Sequence, residues 1–238
     1  MMRVALQPAF VLHHRSYRES SLLLDVLTQE YGRIALIARG VRSRQSKLRP
    51  LLQPFTPVLL SWQGKTELMT LQLVESQDIP IPLKGKNLLS AFYLNELLIR
   101  LLQKHDPYPE LYTIYRHTLL ELATTTMRQK VLRLFEKKLL DVLGYGLRLD
   151  QDITSGEPFS PDKFYQFLPE QGFALGETVE HAHSVLVFSG KSLLSLADEQ
   201  LMDEDALRDA KRLMRLALMP LVGGQALHSR KLFITPSL

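Results

Sequence analysis

Hydrophobic and polar positions alternate with a period near two in the first third of the chain and with a period near 3.6 after it. Ala9 to His13 is apolar and partly β-branched, Ser21 to Thr28 reads SLLLDVLT, and Arg33 to Ala38 reads RIALIA after the turn residues Tyr31-Gly32. Pro57 to Trp62 (PVLLSW) and Leu68 to Val74 (LMTLQLV) follow, joined by the hairpin-like Gln63-Gly64-Lys65. Five strands in about 75 residues satisfy the small barrel of an OB-fold, with a connection between the third and fourth strands long enough to hold a short helix. Strand count alone also admits an SH3-like barrel. Pro80 and Pro82 mark a boundary, because each removes a backbone donor and biases its predecessor toward extended conformations.

Beyond Pro82 the pattern is helical. In AFYLNELLIRLLQ, Phe92, Asn95, Glu96 and Ile99 form one stripe, and Tyr93, Leu94, Leu97, Leu98, Leu101 and Leu102 another, so most of this helix is expected to be buried before it stops at His105-Asp106-Pro107. A second helix is predicted from Glu110 to about Ala123, with Leu111, Ile114 or Tyr115, Thr118 and Leu122 inside. A third, from about Met127 to Leu143, carries Val131, Leu132, Phe135, Leu139 and Val142 and is capped by Gly144. Three consecutive helices of this kind predict a bundle. Residues 150–190 lose the period, and glycines and prolines interrupt short extended pieces such as FYQFL and SVLVF, which predicts a small β-rich insert. A last helix, from about Asp203 to Leu221, opens on Asp203, Glu204 and Asp205, suited to the positive end of its dipole.

The length of 238 residues favours two modest domains, and 45% hydrophobic with 23% charged residues is ordinary for a globular chain. No apolar run reaches the roughly 18 residues of a spanning helix. Arg3, Pro8 and two histidines break the start of any secretory leader, which places the protein in the cytoplasm. With no cysteine, disulfides, a thiol nucleophile and thiolate metal sites are excluded.

The net charge of +4 is unevenly distributed: residues 1–80 hold 10 Lys or Arg against 6 Asp or Glu, and the remainder hold 19 of each. Within that excess, RGVRSRQSKLR carries Arg39, Arg42, Arg44, Lys47 and Arg49 with no acid between them. Such a run neutralises phosphates and releases their counterions, or it is simply a solvated loop. It falls in the connection between strands three and four, and OB-folds pair a basic groove with aromatic stacking platforms. Tyr17, Tyr31, Phe55 and Trp62 are the candidate stackers, although for each taken alone core packing is the favoured role. The catalytic search is poor. No phosphate-binding loop is present, Gly144-Tyr145-Gly146 follows a helix, His181 and His183 lack a ligand set beyond Glu177 and Glu180, and Ser189 has no nucleophile elbow. A binding protein is favoured over an enzyme, and no cofactor is implied.

LLLDVLTQEYGRIALIARGVRSRQSKLRPLLQPFTPVLLSWQGKTEL, FYLNELLIRLL, LRLFEKKLLDVLGYGL and AKRLMRLALMPLVGGQALHSRKLF resemble, in order, successive blocks of the RecO family of bacterial DNA repair and recombination mediators. The resemblance implies an α+β chain: an N-terminal five-stranded OB-fold barrel over residues 1–80, then an α-helical domain over 81–238. It implies binding of single- and double-stranded DNA, annealing of complementary strands, and work with RecR to load the recombinase RecA onto DNA coated by single-stranded DNA-binding protein (SSB), without nucleotide hydrolysis. Family members often carry a four-cysteine zinc module where this chain has Asp152 to Gly172, so a metal-free β-rich insert is expected here.

By the same resemblance, Arg39, Arg42, Arg44, Lys47 and Arg49 belong to a DNA-binding loop that Arg15 and Arg33 extend. Arg133 occupies the arginine of the block LRLFE, which resembles the site that captures the acidic SSB tail. Such a tail needs a cation for its carboxylates and an apolar hole for its terminal ring. Lys137 lies one turn on, with Arg116 and Lys130 as further additions. Two other readings remain: a protein adaptor docking SSB and RecR with incidental DNA binding, and a hydrolase or nuclease with an unclustered site.

Overall fold

The computed structural model describes residues 2–43, 46–176, 186–224 and 227–229. Five strands open the chain: β1 (Met2–Tyr17), β2 (Ser21–Thr28), β3 (Gly32–Ala38), β4 (Val58–Gly64) and β5 (Leu68–Ser76). They close into a barrel in the order β1-β2-β3-β5-β4, with every neighbour antiparallel except β3 and β5. This is the expected OB-type arrangement, with one difference in length. β1 runs 16 residues rather than the predicted five, because its first half pairs with β4 and its second half with β2, and register breaks at Val4/Gln7 and Val11/His13 bend it round the corner.

Alternation fills the barrel. Ala9 and Val11 of β1, Leu22, Leu24 and Val26 of β2, Ile34, Leu36 and Ala38 of β3, and Leu60 and Trp62 of β4 make one buried cluster. Around residues 9–12 both faces of β1 are buried, since Phe10 and Leu12 point away from that cluster and are also covered. That second face meets helices. Helix α1 (Gly85–Leu101) and helix α2 (Pro109–Thr124) pack on each other, α1 against β1 and α2 against β2. Phe10 lies edge-on to Tyr115 at 5.3 Å and tilted on Tyr112 at 5.5 Å.

The junction is fixed by polar bonds inside this apolar contact. Tyr115 donates its hydroxyl to Asn95 Oδ1 at 2.6 Å, and Asn95 Nδ2 donates to the Leu12 carbonyl at 2.8 Å. Burial, with Tyr112 beside it, pushes the Tyr115 phenol well above its ordinary range and keeps it a donor. A second clasp holds the far end of the barrel, where Arg33 Nε donates to the Leu102 carbonyl at 3.1 Å and His105 N–H to the Arg33 carbonyl at 2.9 Å. The β2–β3 turn passes so close to this segment that a Cβ on Gly32, itself at φ +64°, would lie 1.9 Å from the Asp106 carbonyl oxygen.

Contacts group the chain into two units, Met1–Thr125 with Ala226–Leu238, and Thr126–Gln225. The predicted three-helix bundle is therefore divided: α1 and α2 gather with the barrel, whereas helix α3 (Arg128–Val142) packs on helix α5 (Glu204–Leu221) in the second unit. Hydrophobic periodicity identifies the inner face of each helix but not the surface it covers. Gly144, at φ +81°, ends α3 as expected, and Tyr145 N–H reaches back to the Leu140 carbonyl at 2.8 Å. Asp203 caps α5 by accepting from Ala206 N–H at 2.7 Å.

The insert is a three-stranded sheet of β6 (Phe164–Leu168), β7 (Gly172–Leu175) and β8 (Val187–Ser189), followed by the short helix α4 (Gly190–Ala197), which the periodicity does not announce. Phe173 makes ring contacts with Phe159, Phe167 and Phe188. Asp152 accepts from Thr154 N–H, the Ser155 hydroxyl and Leu175 N–H. Among the described residues no group of three or more His, Asp or Glu could hold a metal, and no helix is long and apolar enough to cross a membrane. His181 and His183 lie outside the described residues.

At the other end of the chain Leu227 and Ser229 are buried, and Glu96 of α1 receives His228 N–H, Ser229 N–H and the Ser229 hydroxyl at 2.7–2.8 Å. Burial alone would raise the Glu96 carboxyl. The bonds from Ser229 and His228, with Arg100 at 2.8 Å, outweigh it and hold the group below its ordinary value.

Replacing Asn95 with Ala leaves the Leu12 carbonyl and the Tyr115 hydroxyl buried without partners and is expected to cost about 2–4 kcal/mol of stability. Tyr115→Phe removes only one end of the chain and should cost about 1 kcal/mol. Urea unfolding of the two variants checks the order, and an Asn95→Ala loss no larger than that of Tyr115→Phe would contradict it.

Candidate nucleic-acid interface

Among its described residues the β3–β4 connection, 39–57, contains turns and no helix, where the sequence leaves room for a short one. Its apolar residues go inward: Val41 and Leu52 are fully buried in the barrel cluster, and Leu48 and Leu51 pack against it. The intervening Arg39, Arg42, Lys47 and Arg49 are consequently turned out to solvent. The basic run is thus the outer surface of a plug set in the mouth of the barrel. Arg44 lies outside the described residues.

Hydrogen bonds fix this plug to the β1–β2 turn. Arg42 N–H donates to the Ser20 carbonyl at 2.9 Å, and the Arg42 guanidinium donates to the Arg18 carbonyl at 3.0 Å while staying exposed. Arg18, at φ +53°, holds its guanidinium 5.3 Å from the Tyr17 ring centroid. Arg15, two residues earlier on β1, is exposed at the same end. The structure therefore brings Arg15, Arg39 and Arg42 together with Arg18, which sequence reasoning overlooks. Arg18 stands outside the basic run, beside Glu19, and only the Arg42 bonds reveal that the two segments meet.

Arg33 is placed differently. Its side chain is largely buried, paired with Asp25 at 3.2 Å and bonded to the Leu102 carbonyl, so it joins β2, β3 and the end of α1 rather than extending the open patch. Three of the four candidate stackers are also engaged within the fold. Trp62 is fully buried, Phe55 is 5% exposed and lies edge-on to Phe92 at 5.0 Å, and Tyr31 packs edge-on against Trp62 at 5.3 Å. Tyr17 is partly exposed.

In the second unit, Arg133 is 6% exposed and pairs with the buried Glu136 at 2.6 Å, so the arginine of the LRLFE block faces inward. Lys137 reaches the Ala197 carbonyl at 3.3 Å and Glu199 at 3.4 Å, with Lys138 on the other Glu199 oxygen at 3.2 Å. Burial raises the Glu199 carboxyl, but the two lysines prevail and hold it below its ordinary value. Lys130 lies by Met202 in this unit; Arg116, in the barrel unit, makes an exposed pair with Asp78 at 3.4 Å.

Five strands closed in this order, a plugged mouth with its cations outward, and helices covering one flank define an OB-fold protein built around an exposed cationic loop. The family description "Recombination protein O N terminal" matches residues 2–79, and "Recombination protein O C terminal" matches 83–231. Proteins named DNA repair protein RecO are similar along nearly the whole chain. That of Coxiella burnetii is 48% identical over 230 residues, covering 97% of this chain and 98% of the relative. That of Aliivibrio fischeri is 42% identical over 233 residues (98% and 97%), and that of Vibrio parahaemolyticus 43% over 228 (96% and 92%). The chain belongs to the RecO family of DNA repair proteins. The two matched spans leave between them only residues 80–82, the Pro80–Pro82 segment.

Because Arg133 and Glu136 are buried as a pair, Arg133→Ala removes the cation bonded to a buried carboxylate and is expected to destabilise the chain by on the order of 3 kcal/mol. Lys137→Ala, at a partly exposed pair, should cost less than about 1 kcal/mol. Thermal melts of both variants measure the contrast, and equal melting temperatures would refute the inward placement of Arg133.

Proposed function

We propose that this RecO-family chain is a non-enzymatic recombination mediator that holds single- and double-stranded DNA through the plug at the barrel mouth and anneals complementary strands. The observation that carries the reading is the plug itself: its apolar residues are sunk in the barrel, so Arg39, Arg42, Lys47 and Arg49 face solvent from a fixed base. Fixed cations screen phosphate repulsion and capture two strands locally, which speeds pairing with no covalent step and no cofactor. Arg15 and Arg18 widen this surface, and Arg44 belongs to the same run in the sequence.

The second unit binds the acidic C-terminal tail of SSB in this reading. Lys137 supplies charge on α3, and Arg133 supports the same helix face from within through Glu136. With RecR, the protein then helps RecA onto SSB-coated single strands, in the cytoplasm at the nucleoid.

The test is annealing of two complementary oligonucleotides coated with intact SSB or with SSB lacking its acidic tail, with chelator and without nucleotide. Acceleration that depends on the tail is expected, and Lys137→Glu should reduce it. Changing Arg42, Lys47 and Arg49 together to Ala should flatten the logarithmic salt dependence of single-strand binding by about 2, near 0.7 for each lost phosphate contact. Binding to SSB without any acceleration would make the protein an adaptor, and an unchanged salt slope would remove the plug from the DNA site.

A further inference from the structure

The outer surface of the β1–β2–β3 sheet is covered over much of its length. Phe10, Leu12 and Leu27 are buried, with Phe10 against the α2 tyrosines, and the Asp25–Arg33 pair lies beneath the strand-like segment that ends at His105. Next to the plug the cover is incomplete, although Ser21 there is buried. The register identifies what lies there. Tyr17 pairs with Ser21 and Arg15 with Leu23, while Leu23 pairs with Ile37. Leu22 and Ala38 point into the barrel, so their neighbours Ser21, Leu23, Ile37 and Arg39 point out. Arg15 and Tyr17 share that outward face. Leu23 and Ile37 are both partly exposed, although each is large and apolar.

This end of the sheet is thus an apolar floor of Leu23 and Ile37, with Arg15 on one side, Arg39 on the other and the Tyr17 ring at the edge. Tyr17 and Arg39 lie two strand spacings apart, about 10 Å. That width suits a nucleotide whose base rests on the floor and whose phosphates meet the flanking guanidiniums. Of the four candidate stackers, Phe55, Trp62 and Tyr31 are engaged in the fold, and Tyr17 sits beside the cations.

We propose that Tyr17, at the edge of the Leu23–Ile37 floor, is the stacking platform for an unpaired base, which makes this surface selective for single strands over duplex. The inference rests on the proposed DNA binding at the barrel mouth and adds what that charge cannot supply. Phosphate contacts hold any polyanion, whereas a ring can stack only on a base that is not already paired and stacked. Arg18 contributes from the other direction: its guanidinium lies over the ring while its carbonyl holds Arg42, so the platform and the plug share one turn.

The experiment compares the whole chain with Tyr17→Ala and Tyr17→Phe for binding an oligodeoxythymidylate and a blunt duplex of equal length, across a range of salt. Tyr17→Ala is expected to bind the single strand about tenfold more weakly with an unchanged salt slope, since stacking releases no counterions. Tyr17→Phe should bind normally, and neither change should alter duplex affinity. Tyr17→Trp gives a readout independent of affinity: its fluorescence should be quenched by the single strand and not by the duplex, over a constant signal from the buried Trp62. The proposal is overturned if Tyr17→Ala binds the single strand as the unaltered chain does, or if it weakens strand and duplex equally, as a merely structural role would. Failure of the DNA-binding reading itself looks different, because then the unaltered chain binds neither oligonucleotide, and the proposal falls with it.

Discussion

The hydrogen bonds that run from the Tyr115 hydroxyl through Asn95 to the Leu12 carbonyl are buried where a barrel strand meets two helices. An amide in such a place is costly unless every partner is met, and here one Asn side chain meets two at once, one on α2 and one on β1. The bonds hold only when the helices sit at one position along the strand. Phe10 then falls between Tyr112 and Tyr115, and the flank of the barrel beyond Leu12 stays uncovered. Apolar packing alone would hold the helices against the strand with less command of their register.

What this leaves open is as consequential as what it covers. Buried helices close the middle of the outer sheet, the Arg33 clasp closes one end, and the basic connection plugs the mouth with Val41 and Leu52. The described cations of the loop, Arg39, Arg42, Lys47 and Arg49, thereby face solvent from that mouth. The chain's net positive charge lies within its first third, and folding concentrates it further. A surface of this kind attracts nucleic acid over a distance of about a Debye length and needs short-range contacts to tell one form from another.

Much of this was legible beforehand, for identifiable reasons. β2 and β3 read as strands because short apolar runs stand on either side of the Tyr31-Gly32 turn, and the plug reads as a cationic run because no acid interrupts Arg39 to Arg49. β1 reads shorter in the sequence than it is because residues 9–12 are buried on both faces and the strand changes partners at its bulges, so its alternation fades. The side chain–main chain bonds were not legible. Arg33 looks like a neighbour of the basic run until its bond to a carbonyl 69 residues away is seen. Arg133 was different, since Glu136 stands three residues on in the same helix and a local pair could have been anticipated; that both are buried could not. The division of the helices between two units also escapes periodicity, which records that a face is covered without recording what covers it.

The proposed nucleic-acid site is one end of the barrel, formed by the plug and the adjoining sheet. Hydrogen exchange of the whole chain, with and without a saturating single-stranded oligonucleotide, tests it most directly. The account predicts slowed exchange in peptides spanning 15–23 and 37–43, with no change in α2. Protection confined to α3, α5 and the insert, with the barrel mouth exchanging as before, would contradict it.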